Sequence, residues 1–537
     1  LAILQASITH AWVDSIMVHD SAMAGNTLWS PDSAGFYLLS HSVFVEDGDS
    51  LTIEPGTIIK SEPGRADSAA RLVVARKGYI YASGTPTQPI IFTCQADDVL
   101  DPDDLPTNIR GQWGGIFILG VAGTNRIGDS GHAEGIPITE QRAIYGPGST
   151  YTRNDEDNSG VFRYVSIRYN GSAIDAELDG LMLAAVGSGT TIEYVETFNG
   201  ADDGFGFVGG TVNTRYLVSA RCDDDGFDYD EGYRGKNQFW FSYFDKAAGK
   251  TGGEHDGGTT PETGLPYATP TIRNATYVGA GSVLGHIGND MALNVRDNAG
   301  GHYINSIFTE FRGFGVQIED HPSAKDSRER LDSADLTLKH CIFWGFGAGP
   351  FSSNLFPQGF VRDYVTDPEI HNHIVNPAFC VPPPPSRLLG VPFDPRPLPG
   401  TFAASGAQVS TDSFFAPVPY LGAFDPEASN WAKGWTAMDF YGYLEEGTCQ
   451  TPPCQCLVTG GDTNGDSSIT SADIITTINY VFKGGPSPEP CEATGDVNCT
   501  GQVTSADVIG LVNYVFKSGS ALCEVCAGST LATSCCL

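Results

Sequence analysis

Residues 191–207, TIEYVETFNGADDGFGF, and residues 213–229, NTRYLVSARCDDDGFDY, are two copies of one pattern set 22 residues apart. Tyr194 answers to Tyr216, Asp202 to Asp224, Asp203 to Asp225 and Phe205 to Phe227. Each copy opens on a short run, turns through Asp-Gly and enters a second short apolar run, with no helical periodicity in either. A looser third copy lies upstream, in FRYVSI around Tyr164 and DGLML from Asp179. A unit of about 22 residues built from short strands and turns is one coil of a parallel β-solenoid, whose strands pair with the coils on either side. A β-sandwich would need hairpin turns and would leave the fixed spacing without a cause.

Outward from this core the same texture continues. SVFVEDGDSLTIEPGTIIK (42–60), LVVARKGYIYASGTPTQPIIFT (72–93) and GQWGGIFIL (111–119) supply strands before it, and HYINSIFTEF, FGVQIED and LTLKHCIFWGF carry the pattern to residue 346. The expected fold is mainly β: a right-handed parallel β-helix over residues 26–375, a rod of about a dozen coils and about 60 Å. Residues 376–400 are too rich in proline for regular strand, because proline lacks the ladder donor. They are expected to run extended along the rod. The aromatic stretch YLGAFDPEASNWAKGWTAMDFYGYL (420–444) is expected to cap a solenoid end, so that 376–447 forms one segment, and residues 1–25 form an N-terminal arm.

Composition bounds the function. The chain has 537 residues, 64 acidic against 30 basic, and a formal charge of −34. Such a surface repels nucleic acid and anionic membranes and attracts divalent cations. No apolar run is long enough to span a membrane. Of 13 cysteines, nine lie from Cys449 onward, which reads as a disulfide framework in an oxidising, extracellular compartment. Zinc is the competitor at Cys454 with Cys456 and Cys523 with Cys526, but those spacings do not repeat. The opening Leu-Ala-Ile-Leu is expected to be a mature end left by leader removal.

The last 90 residues (448–537) read as a Cys-rich linker and a small helical calcium-binding domain. GDTNGDSSITSAD (461–473) and GDVNCTGQVTSAD (495–507) repeat at an offset of 34, each followed by an amphipathic segment, IITTINYVFKGG or VIGLVNYVFKSG. Oxygen atoms at loop positions one, three, five, seven, nine and twelve wrap a hard cation such as Ca²⁺. In the first loop these fall on Asp462, Asn464, Asp466, the Ser468 carbonyl, Thr470 and Asp473. In the second they fall on Asp496, Asn498, Thr500, the Gln502 carbonyl, Thr504 and Asp507.

Two resemblances add to this reading. Residues 26–444 resemble a widespread group of secreted bacterial β-helix surface proteins through VFVEDGDSLTIEPGTIIK, GQWGGIFILG, NDEDNSGVFRYVSIRY, GSGTTIEYVETFNGADDGFGFVGGTVNTRYLV, DDDGFDYDEGYRGKNQF and GAFDPEASNWAKGW. The resemblance implies the fold, but that group lends no activity. The paired loops resemble a type I dockerin, in which Asp rather than Glu ends each loop and a single helix follows. That implies calcium as cofactor and a cohesin-like module as a partner, met through Ser471 and Ala472 and through Ser505 and Ala506. Thr500 stands where the family carries Asp, which should weaken the second site.

Stacking at 22 residues puts Asp203 beside Asp225, with Asp179 on the next level and Asp223, Asp224, Asp228, Asp230 and Glu231 at the same edge. Like carboxylates about 5 Å apart repel unless protonated or bridged. Three readings stand: turn capping, a calcium site and catalysis. Polygalacturonase-like enzymes need Gly-His-Gly and Arg-Ile-Lys, whereas this chain offers only GHIG around His286; a lyase needs a base, for which Arg221, Arg234 and Lys236 are near in sequence. The expectation is a non-enzymatic structural or adhesive protein that self-assembles into a filament, with the N-terminal arm in the joint. The alternative is a polysaccharide lyase or glycoside hydrolase of the β-helix type attached through its dockerin.

Overall fold

The computed structural model describes residues 13–64, 68–171, 178–246, 249–258, 260–282, 288–322, 325–384, 391–447, 449, 459–466, 468–489, 491–517, 519 and 521–523. Residues 1–12, His286, most of the 448–458 linker and Cys454, Cys456, Cys526, Cys535 and Cys536 lie outside them, and with them most of the arm.

Parallel strands build the solenoid. One sheet has nine strands in coil order, from Val43–Val45 through Leu181–Ala184, Phe205–Val208, Phe227–Asp230 and Thr251–Asp256 to Phe314–Ile318. In register, Leu181 meets Phe205, Phe205 meets Phe227, and Phe227 meets Gly253. These positions point inward, where the Phe205, Phe227 and Trp240 rings stack at 5.3 and 4.3 Å. Truncating such a ring to alanine costs about 3–5 kcal/mol. The second sheet carries the other faces. Its strand Asn213–Ala220 pairs with Thr191–Phe198 at the predicted 22-residue offset, Leu217 meeting Val195, and with Lys236–Tyr243 on the other side, Leu217 meeting Trp240.

A repeated corner explains the aromatic period. Tyr164, Tyr194, Tyr216 and Phe239 occupy left-handed backbone at φ 50, 55, 59 and 63°, and Asn274, Asn305 and His340 continue the column. A left-handed non-glycine residue costs roughly 1–2 kcal/mol. Ring stacking offsets it: Tyr164 on Tyr194 at 4.4 Å, Tyr194 on Tyr216 at 4.3 Å and Tyr216 on Phe239 at 4.8 Å.

Two expectations are corrected. The aromatic stretch 420–444 covers a flank rather than an end. Trp435 meets Tyr164 and Tyr194 edge-on, Trp431 meets Tyr216, and Tyr441 stacks on Phe198 at 5.2 Å. Polar side chains from the coils hold this strap. Buried Glu196 accepts from the Ala437 and Met438 N–H groups at 2.6 and 2.9 Å, and Asn274 donates to the Tyr420 carbonyl. The Cys380–Cys449 disulfide closes a 69-residue loop around it, which the chain-entropy account values at about 4 kcal/mol. The C-terminal end of the solenoid is covered instead by the short helices Ser352–Leu355 and Gly359–Val365 and by the chain around His373. Gln358 bonds both the N–H and the carbonyl of Ile318, and His373 bonds Cys341 and Phe343. Unpaired strand edges need hydrogen-bonding partners, and these supply them.

The second correction concerns the arm. Its described part is Val13–Val18, a parallel strand in register with Ala34–Leu39, so it is the first rung of the solenoid. The tail is separate and small: helices Ser471–Lys483 and Ser505–Lys517 pack around Ile474, Val497 and Leu511, with a Cys499–Cys523 disulfide. Among the described residues no helix is long and apolar enough to cross a membrane.

Candidate functional site

Side chains alternate across a strand, so the inward row at Phe205, Phe227 and Gly253 implies an outward row at Gly206, Asp228 and Glu254. The next outward positions are Val208, Asp230 and Asp256, with Arg296 opposite Asp256 on the following strand. A loop over residues 126–145 walls one side. The result is an open groove of about 510 Å³ lined mostly by carboxylates.

The predicted ladder lies at its rim. Asp203 accepts from the Asp225 N–H at 2.7 Å, and Asp225 in turn accepts from the Thr251 N–H at 2.6 Å and from its hydroxyl. Each carboxylate therefore caps the turn of the next coil. Asp179 lies over Gly206: a Cβ there would stand 1.9 Å from Asp179 Oδ2, so the bare glycine makes room for the carboxylate. Carboxylate oxygens of Asp202, Asp203 and Asp224 lie within 4.8 Å of one another. Burial, and then the neighbouring acids, raise the Asp203 and Asp228 carboxyls well above the usual range and push Asp225 up to about 8.

The cations of the groove are clamped. Lys250 Nζ lies 3.3 Å from Asp224, 3.5 Å from Asp225 and 3.4 Å from Glu254. Burial works against its charge, but the three carboxylates outweigh burial and hold it protonated. Arg296 reaches Asp256 at 2.7 Å and Glu254 at 2.9 Å, and Arg126 pairs with Glu231, which also takes the Tyr145 hydroxyl at 2.9 Å. The bases suggested by sequence proximity lie elsewhere. Arg221 pairs with Asp245, Arg234 with Asp155 and Lys236 with Asp412, and none lines the groove. They share its coils but project from other faces.

The tail holds the second concentration of carboxylates. In the first loop Asp473, fully buried, accepts from Thr463 N at 2.8 Å and Asn464 N at 3.2 Å with one oxygen and from Thr470 N at 2.8 Å with the other. It also closes a capping box with Thr470 at the start of Ser471–Lys483. Asp466 accepts from Ser468 N at 2.9 Å, and Asn464 from Asp466 N. The second loop repeats the plan. Asp507 accepts from Asn498 N at 3.2 Å and Thr504 N at 2.8 Å, and Asp496 from Thr500 N at 2.9 Å. Position four is left-handed in both, at Gly465 (φ 66°) and Cys499 (φ 57°). The donor set is all hard oxygen, with Asp462, Asp473, Asp496 and Asp507 buried, and so fits Ca²⁺. Thr500 instead gives its hydroxyl to the Gln502 carbonyl at 3.3 Å, leaving the second loop one carboxylate fewer.

The pectate-lyase-like β-helix domain matches residues 25–346, more than half of the chain. The chain belongs to that family. Residues 460–516 match the dockerin type I domain. No curated protein matches the chain. A β-helix joined to a type I dockerin has the make-up of a cellulosome-type component. Dockerins typically bind calcium, take a cohesin as partner, and belong to extracellular or cell-surface proteins.

Ser471, Ala472, Ser505 and Ala506 are all exposed on the dockerin surface. Beside them stand apolar residues that the loop motif does not include: Ile475 and Phe482 on the first helix, Ile509 and Phe516 on the second, each about 60 % exposed and related by the same 34-residue offset. Helical spacing carried the signal: Ile475 and Phe482, seven residues apart, share one helix face, turned about 90° from core-facing Ile474. Lys250, Glu254, Asp256 and Arg296 were missed for another reason. The coil after Asp225 reaches its equivalent turn at Thr251, 26 residues on, so the 22-residue period no longer points to them.

Proposed function

We propose that this protein is an extracellular structural or adhesive component that plugs into a cohesin-type partner through a calcium-loaded dockerin, and that its groove is not catalytic. The clamping of Lys250, Arg296 and Arg126 by carboxylates carries this reading. A lysine or arginine can serve as the base of a β-elimination only after losing its proton, and these cations are held charged. Asp203 and Asp225 act as turn caps. The calcium ligands are Asp462, Asn464, Asp466, Ser468, Thr470 and Asp473, with Asp496, Asn498, Thr500, Gln502, Thr504 and Asp507 as a weaker second set. Assays of the full chain on polygalacturonate and alginate, with calcium present, should show no cleavage. Turnover lost in Asp225→Ala would sink this reading.

One observation favours a polysaccharide-cleaving enzyme as the second reading: Asp225, pushed up to about 8, is a protonated carboxyl at neutral pH beside other acids. The same cleavage assay decides between the two. Self-assembly into a filament is supported by the N-terminal end of the solenoid. Among the described residues no strand pairs with the outer edge of Val13–Val18, and Val13, Met17 and Leu28 are exposed there. Sedimentation at rising concentration should show polymer; a monomer throughout would end the filament idea.

A further inference from the structure

We propose that the first calcium loop of the dockerin is a latch on the β-helix, so that loading this loop and docking the dockerin against the C-terminal cover of the solenoid are coupled. The proposal rests on the calcium reading of the loops.

Two contacts meet there. Gly465 lies between the candidate ligands Asn464 and Asp466, and the Phe351 ring of the β-helix lies against it. A Cβ on Gly465 would fall 2.1 Å from Phe351 Cζ, and the left-handed φ of 66° independently favours glycine. The second contact comes from Glu489, in the segment joining the two dockerin helices. Its N–H donates to the Thr463 carbonyl at 3.1 Å, and it pairs with Asn464 in a parallel bridge. Its carboxyl, raised by burial, faces the N–H and hydroxyl of Ser352, both of which favour its charged form. Ser352 begins the short helix Ser352–Leu355, and the residue before it, Phe351, makes no side-chain cap, so Glu489 places its negative charge beside the uncapped start of that helix.

Residues 463–466 are thus gripped on one side by the Glu489 backbone and on the other by Phe351. Among the described residues the second loop has no such arrangement at the equivalent position, where Cys499 is bridged to Cys523. A loop of crowded carboxylates opens when its cation leaves, because the side chains repel and the backbone relaxes. Opening residues 463–466 would pull Gly465 off the Phe351 ring and Glu489 away from Ser352. Linkage is reciprocal: whatever docking adds to calcium affinity, calcium adds to docking.

The test is a calcium titration of the full chain by calorimetry, paired with small-angle scattering in calcium and in EDTA. The wild type should bind two calcium ions in the tail, one more tightly, and should extend when calcium is removed. Phe351→Ala and, separately, Glu489→Ala should weaken the tighter site at least about fivefold and leave the weaker one unchanged. They should also extend the molecule in saturating calcium. The two variants lie on opposite sides of the contact, so a folding failure in one leaves the other decisive. Two unchanged sites in either folded variant would overturn the latch while leaving the calcium reading intact. A wild type that binds no calcium in the tail would remove both.

Discussion

The groove and the dockerin loops both crowd carboxylates, and they differ in what neutralises the charge. In the groove Lys250 and Arg296 are threaded between the acids, and Asp225 and its neighbours are held partly protonated by burial. Residues 459–523 contain no arginine and only two lysines, Lys483 and Lys517, each at the far end of a 13-residue helix from its loop. At 1.5 Å per residue that is about 20 Å, too far for either charge to matter to the loop. One acid cluster carries its counter-ions in the sequence; the other must take them from solution.

The largest difference should appear on removing calcium. In EDTA, limited proteolysis should cut within 459–523 and spare the solenoid, and Asp473→Ala should make the tail just as labile with calcium present. Indifference of the tail to EDTA would make the two clusters alike. pH should separate them next, through the groove. The Asp225 carboxyl is raised from 3.8 to about 8, so the folded state holds a proton that the unfolded chain has lost. Its contribution to stability is therefore intact below about pH 4 and falls as pH rises towards about 8, where the full cost of the ionised group is reached. Thermal melts of the solenoid in EDTA should decline over this window, and Asp225→Asn should flatten the decline.

Smaller effects sharpen the same contrast. Lys250→Met should lower solenoid stability by about 1 kcal/mol at pH 8, since the lysine is nearly half exposed, and by less at pH 5, where Asp225 is protonated. Equal losses at both pH values would mean that the clamp is packing rather than charge. The mildest change is Thr500→Asp, which should tighten the second calcium site by about tenfold. No change in the titration would show that residue 500 is not a ligand.

The solenoid was legible because stacking forces a period on the chain, and residues 191–229 keep it intact. The loop pair was legible for a related reason, two copies 34 residues apart. The features that escaped have no period of their own. The strap at 420–444 is held by Glu196 and Asn274, polar residues that look in sequence like misplaced strand positions and turn out to bond a distant backbone. Three basic residues seemed to border the acid ladder because they are near in sequence, yet a coil turns through several faces and Arg221, Arg234 and Lys236 leave by the others. Val13–Val18 joined the sheet because its edge pairs by backbone, which needs no family pattern.

The most direct measurement is a calorimetric calcium titration of the full chain beside the double variant Asp473→Ala, Asp507→Ala. The account predicts two ions bound by the wild type and none by the variant, because the groove is neutralised from within. An ion still bound by the variant, and lost on adding Asp203→Asn and Asp225→Asn, would place calcium in the groove and contradict it.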